Sequence, residues 1–165
     1  VVILEAGNAV VAAFWQAGII SVTLITVLLL AVLQRWLDAV LVFAPLTLAA
    51  VLTVAASVAF GIPFNFANII VLPLLFGLGV ASGIHLVLRG HEENSVIGVL
   101  ETSTPRAVVF SALTTIGSFG SIALSSHPGT ASMGLLLTLA ITLTLGCTLV
   151  VLPALMEAVG NRNKA

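Results

Sequence analysis

The stretch "AVLVFAPLTLAAVLTVAASVAFGIPFNFANIIVLPLLFGLGVASGIHLVL", Ala39–Leu88, runs for 50 residues without a charged side chain. A helix needs roughly 20 apolar residues to cross a bilayer, so this length holds two crossings. Within it, "GIPFNF" (Gly61–Phe66) combines glycine and proline with turn-forming residues, which predicts a connection between two helices. The two predicted spans are 39–60 and 67–88.

Two further charge-free stretches, Ala6–Gln34 and Ala107–Met156, flank this one. Their lengths hold one and two crossings, and "SSHPGT" (Ser125–Thr130) divides the second. The sequence therefore predicts an all-α membrane protein with a bundle of five transmembrane helices. The remaining predicted segments are an interfacial lead-in helix at 1–17, spans at 18–34, 107–125 and 131–156, a cytoplasmic segment at 89–106 and a polar cytoplasmic tail at 158–165.

The composition agrees with a membrane protein and excludes an ordinary soluble domain. Hydrophobic residues make up 60% of the chain and charged residues 7%, with a mean hydropathy of +1.28, whereas soluble domains carry about a quarter charged residues. The net charge of -1 gives no indication of nucleic-acid binding. Cys147 is the single cysteine, so no disulfide framework or cysteine metal site is available. We predict no cofactor and no metal.

The basic residues predict the orientation of the bundle. In a five-span topology Arg35, Arg89, Arg106, Arg162 and Lys164 all fall on one side. Basic residues favour the cytoplasmic side of a membrane. We expect the N-terminus outside and the C-terminus in the cytoplasm.

The first residues predict a helix lying at the membrane interface. Val10, Val11, Phe14 and Trp15 have the spacing of one helical face, and tryptophan favours the headgroup region. The chain begins at Val1 with neither a methionine nor a basic signal segment, so we expect it to be part of a longer protein.

Small and polar residues concentrate in the third and fourth spans, where they allow close helix contacts and hydrogen bonds between helices. The third span has Gly77, Gly79 and Gly83, the last two in a G-x-x-x-G spacing. The fourth contributes Gly117 and Gly120 together with the hydroxyl residues Ser111, Thr114, Thr115, Ser118 and Ser121. We expect these spans to pack closely against each other or to line a common polar seam. Packing alone would also account for these residues.

His85 is the one ionisable residue in the stretch 39–88. It lies one turn before Arg89, which is compatible with a ring in the headgroup region. An ionisable residue at membrane depth also suggests proton handling, since imidazole titrates near neutral pH. Ser82 lies one turn away on the same face and could share such a path. Both interpretations remain open.

The sequence gives little support to covalent catalysis, and no catalytic residue is predicted. Ser82 precedes Gly83, but the G-x-S-G pattern of rhomboid-like hydrolases would need glycine at Val80. His127 lies in a predicted loop beside a proline, and nothing places a base within reach of a nucleophile.

The order of these features resembles resistance-nodulation-division (RND) transporters of the MMPL, sterol-sensing-domain-like type. The resemblance covers essentially the whole chain. Its most specific segments are "FNFANIIVLPLLFGLGV" (64–80), "GIH" (83–85) and "ALTTIGSFGSIALSSHPG" (112–129). Within the superfamily the sequence is most similar to HpnN-type hopanoid transporters.

The resemblance implies a proton-driven exporter of a hopanoid-like membrane lipid in the bacterial inner membrane. It implies twelve spans in two halves, each with one helix, a periplasmic domain and five further helices. This chain would be one such five-helix set, and the polar "NRNKA" (161–165) favours the C-terminal half. The implied partners are membrane lipids, the other half and the periplasmic domains; a homo-oligomer is also allowed.

One position departs from the family pattern. The family's third helix resembles G-x-G-x-D-x-G-I-H, where the aspartate serves in proton relay, but this chain has Ala81 there. Either the other half supplies the acid, or another residue has replaced it, or a weaker polar path forms from Ser82, His85, Ser111, Thr114, Thr115 and Ser118. The alternative is a sterol-sensing-like module that binds lipid and regulates without transport.

Overall fold

The computed structural model describes residues 2–62, 64–65, 68–93 and 96–162, and within them it contains helices and no strands. The helices are α1 (Val2–Leu33), α2 (Trp36–Ala59), α3 (Val71–Glu93), α4 (Val96–Glu101), α5 (Ser103–Ala123) and α6 (Pro128–Arg162). All except α4 are long and apolar enough to cross a membrane. The predicted five-helix membrane bundle is thereby confirmed, while the orientation of its termini stays a prediction.

The lead-in segment and the first predicted span form one continuous helix, α1. Between α1 and α2 only Gln34 and Arg35 are non-helical. Gln34 has a φ of 54°, in the left-handed region that reverses a chain within a few residues. The first two transmembrane helices are therefore antiparallel neighbours, as the short connection predicts. The location of residues 1–17 at the membrane interface stays a prediction.

The helix α6 lies at the centre of the bundle and packs against α2, α3 and α5. The main core cluster draws apolar side chains from all six helices, among them Leu29, Leu46, Leu86, Val99, Val108 and Leu152. A second cluster joins Val71 and Leu75 of α3 to Leu136, Leu137 and Ala140 of α6. By contrast, α1 and α5 lie at the margins and are mostly exposed.

The third span begins later than predicted because two asparagines hold the chain in a turn. Asn68 Oδ1 accepts a hydrogen bond from the Asn65 backbone N–H at 2.7 Å, and Asn65 Oδ1 accepts one from the Asn68 N–H at 3.0 Å. Both side-chain amides donate to Ser132 Oγ in the first turns of α6, at 3.2 and 2.8 Å. These bonds replace helical ones, so α3 starts at Val71 instead of residue 67.

We expect Asn68→Ala to destabilise the protein. Asn68 is 0% exposed, and its loss leaves the Asn65 N–H without this acceptor and Ser132 without this donor. An unmade buried hydrogen bond costs about 1–3 kcal/mol. The measurement is unfolding of the full-length protein in detergent. Ser125→Ala is the control, since it removes an exposed bond to the His127 N–H. Equal stability of the two variants would contradict this prediction.

The start of α5 is stabilised by a threonine cap and tolerates a proline in its first turn. The N-cap is Thr102, whose hydroxyl accepts from the Thr104 N–H at 3.3 Å. The helix begins at Ser103, so Pro105 is its third residue. A proline is tolerated there because the first-turn N–H groups have no partner within the helix.

Candidate functional site: a polar cleft and an apolar groove

A small cleft opens between α3, α5 and α6, and its volume is about 60 Å³. Five hydroxyl residues lie along it: Ser82 from α3, Ser111 and Thr115 from α5, and Thr144 and Thr148 from α6. Apolar side chains such as Leu75, Leu78 and Ile141 close the remainder. A site of this size and polarity has room for a few water molecules. We call it the polar cleft.

Two of the five hydroxyls of the polar cleft donate to carbonyls of their own helix. Thr115 Oγ1 donates to Ser111 O at 2.8 Å, and Thr144 Oγ1 donates to Ala140 O at 2.7 Å. Their lone pairs remain available to accept a hydrogen bond from within the cleft. Thr148 differs, because the residue is only 1% exposed and its Oγ1 has no hydrogen-bond partner among the described residues. A buried polar atom of this kind indicates room for a bound water or ligand.

The structure brings together three of the six residues predicted for a proton path, namely Ser82, Ser111 and Thr115. His85, Thr114 and Ser118 are exposed and do not line the cleft. Thr114 and Ser118 donate to backbone carbonyls of α5. The cleft thus corresponds to the predicted polar seam, but α6 contributes to it through Thr144 and Thr148, which the sequence analysis did not single out. The proton-path roles stay predictions.

The predicted packing glycines have different surroundings. A Cβ at Gly79 would collide with Leu46 of α2 and lie 2.9 Å from Thr144 Cγ2, and one at Gly83 would lie 2.7 Å from Val42 Cγ1. The G-x-x-x-G pair therefore faces mainly α2, and α3 touches α5 only lightly. Gly77 and Gly117 have open space around them, and Gly120 has only an ordinary contact at 3.8 Å.

A close approach of two helix backbones uses a glycine that the sequence analysis did not single out. A Cβ at Gly134 of α6 would lie 2.8 Å from both Ile122 C and Phe119 O, and would collide with the Ala123 backbone nitrogen. All three are backbone atoms of α5. The extensive α5–α6 contact therefore depends on the absence of a side chain at this one position.

A larger groove lies between α1 and the first turns of α3, with a volume of about 440 Å³. Its walls are almost entirely apolar, including Phe14, Trp15, Ile19, Leu72, Pro73 and Phe76. The Phe14 and Trp15 rings meet edge-to-face with centroids 6.5 Å apart. Since α3 begins at Val71 and reaches Arg89 near its other end, the groove lies away from the basic end of the bundle. We call it the apolar groove.

Among the described residues no group of three or more His, Cys, Asp or Glu side chains comes together that could hold a metal ion. The groups that line the two cavities are hydroxyls and hydrocarbon, which suit water and lipid better than a charged cofactor.

No protein-family model matches the chain. The chain is 46% identical over 154 residues to the hopanoid transporter HpnN of Rhodopseudomonas palustris, covering 93% of this chain and 18% of that protein. It is 43% identical to the hopanoid transporter HpnN of Burkholderia multivorans, covering 93% and 17%. A membrane protein of Methanocaldococcus jannaschii is 28% identical over 80% of the chain. The predicted resemblance to HpnN-type transporters is confirmed, and the chain spans less than a fifth of their length.

Proposed function

We propose that the chain is the membrane-embedded part of one half of a transporter that exports a hopanoid-like lipid across the bacterial inner membrane, driven by the proton gradient. The relatives described above are named hopanoid transporters. Their length leaves room for a second helix set and for the periplasmic domains that the resemblance implies.

The observation that carries the lipid assignment is the apolar groove. A water-filled transport path for polar solutes would need polar walls, whereas this groove offers hydrocarbon and aromatic surface. Trp15, which is 65% exposed, forms part of the groove wall. Tryptophan favours the headgroup level of a membrane, so a lipid could enter the groove sideways from one leaflet. A rigid, fused-ring hydrocarbon is the occupant that we propose.

The polar cleft supports the proton-coupling part of the proposal. Thr148 Oγ1 is buried with no hydrogen-bond partner in the described part of the chain, and the neighbouring threonine hydroxyls can each accept a further hydrogen bond. A chain of water molecules in this cleft would satisfy these atoms and could pass a proton. Ala81 is exposed on α3 and carries no acid. We therefore assign the relay carboxylate to the other half of the transporter.

The test is transfer of a hopanoid by the full-length protein in proteoliposomes, with and without a proton gradient. We expect transfer when the gradient is present and a loss of transfer when an ionophore collapses it. Lipid binding without transfer in either condition would overturn the proposal. Transfer at the same rate with and without the gradient would overturn only the proton-coupling part of the proposal.

Two substitutions extend this test to the proton path. We expect Ser82→Ala, which removes a hydroxyl from the polar cleft, to lower gradient-dependent transfer. His85→Ala tests whether the exposed imidazole contributes by facing the other half. Thr142→Ala is a suitable control because its hydroxyl is exposed, donates to Thr138 O and lies outside the cleft. Wild-type transfer in both test variants would remove these residues from the path.

A further inference from the structure

Asp38 is a buried carboxylate at the basic end of the bundle. It is the third residue of α2, directly after the turn that follows α1. Its side chain is only 7% exposed, and its Oδ2 makes no hydrogen bond among the described residues. A buried carboxylate without a donor is costly unless an opposite charge compensates it. Its position in the first turn helps, because the positive end of the helix dipole favours an anion there.

The compensating group is His91 in the last turn of α3. Its Nε2 lies 3.2 Å from Asp38 Oδ2, and its side chain is 41% exposed. The approach does not have hydrogen-bond geometry, so the attraction depends on the charge of the ring. The ring is partly open to solvent at the end of the helix. The two side chains join the ends of α2 and α3.

The other charged side chains discussed for this end of the bundle are either paired with each other or exposed. Arg89 of α3 pairs with Glu92 and Glu93, at 2.5 and 3.1 Å. Arg35, which precedes α2, is exposed, and no ion pair within 4 Å joins it to Asp38 among the described residues. The acids on the neighbouring helices α4 and α6, Glu101 and Glu157, are also exposed. Among the described side chains, His91 is therefore the cation that compensates Asp38.

We propose that Asp38 and His91 form a pH-sensitive latch between α2 and α3. When His91 is protonated, the ion pair holds the two helix ends together and compensates the buried carboxylate. Imidazole loses its proton between about pH 5 and 8. With a neutral ring, Oδ2 is buried without a charged partner among the described residues, so the helix ends separate or admit water. The contribution of the latch is present at low pH and is lost as the pH rises.

The proposal does not depend on which lipid is carried. In the full-length protein, with other cysteines replaced, spin labels are attached through Leu37→Cys on α2 and Leu88→Cys on α3, both exposed positions. Their distance distribution is measured at about pH 5.5 and about pH 8, on either side of the imidazole titration. We expect a narrow distribution at the lower pH and a longer or broader one at the higher pH.

Three variants decide whether the pair causes this response. His91→Arg should keep the short distance at both pH values because the guanidinium stays charged. His91→Gln should abolish the pH response, since its side chain does not titrate. His127→Gln, at an exposed histidine before α6, should leave the response intact. Two results would overturn the latch. One is a label distance distribution that is the same at both pH values in the protein with His91 intact. The other is a pH response that persists in His91→Gln.

Discussion

Gly134→Leu should strongly destabilise the described bundle. The leucine Cβ would lie within 2.8 Å of backbone atoms of Ile122 and Phe119, and a backbone cannot rotate away as a side chain can. The axes of α5 and α6 would have to separate, although α6 provides the main support of α5. We expect a loss of about 3 kcal/mol, at the upper end of the range for overpacking, measured as thermal stability of the full-length protein in detergent.

Gly146→Leu is the matched control for this prediction. It makes the same chemical change in the same helix, but a Cβ at Gly146 meets nothing within 4 Å. Its stability should equal or slightly exceed that of the unsubstituted protein, because leucine favours a helix over glycine by close to 1 kcal/mol. If Gly134→Leu were as stable as this control, the result would contradict the close contact between α5 and α6 at Gly134.

The comparison between these glycines shows where sequence reasoning reaches its limit. The number and approximate position of the spans follow from charge-free lengths and from the Gly-Pro connections, because the bilayer thickness imposes them. In sequence, however, Gly134 and Gly146 are both single glycines in one apolar helix. Which of them meets a neighbour depends on the rotation of α6, and the hydrophobic pattern hardly fixes that rotation when a helix is apolar all round.

The candidate sites show the same limit. The hydroxyl residues Ser111 and Thr115 could be recognised in the fourth span as polar groups at membrane depth. The α6 residues that line the same cleft, Thr144 and Thr148, lie in a threonine-rich run that resembles ordinary membrane-helix sequence. The pairing of Asp38 with His91 joins residues 53 positions apart, and no local pattern encodes it. These contacts require the tertiary arrangement of α2, α3, α5 and α6.

Gly18→Phe should strongly reduce lipid transfer while leaving the protein folded. Gly18 lines the apolar groove, and a Cβ there meets nothing within 4 Å, so a phenyl ring would occupy space that we assign to the lipid. We expect the initial rate of hopanoid transfer to fall roughly tenfold or more, which corresponds to about 1.4 kcal/mol of lost lipid affinity. Thermal stability should not fall, because a Cβ at residue 18 meets no neighbouring atom and the groove has room for the ring.

The control for the groove is Ala17→Phe, which adds the same ring at the adjacent position on the exposed side of α1, outside the groove. A phenyl ring at residue 17 should meet lipid without obstructing Phe76 or Trp15, and transfer per molecule should remain near the unsubstituted rate. If Gly18→Phe reduced the amount of folded protein instead of the transfer rate, another part of the transporter would fill the groove. Equal transfer by the two variants would show that the lipid does not pass through the groove, because a ring at residue 18 would obstruct that route.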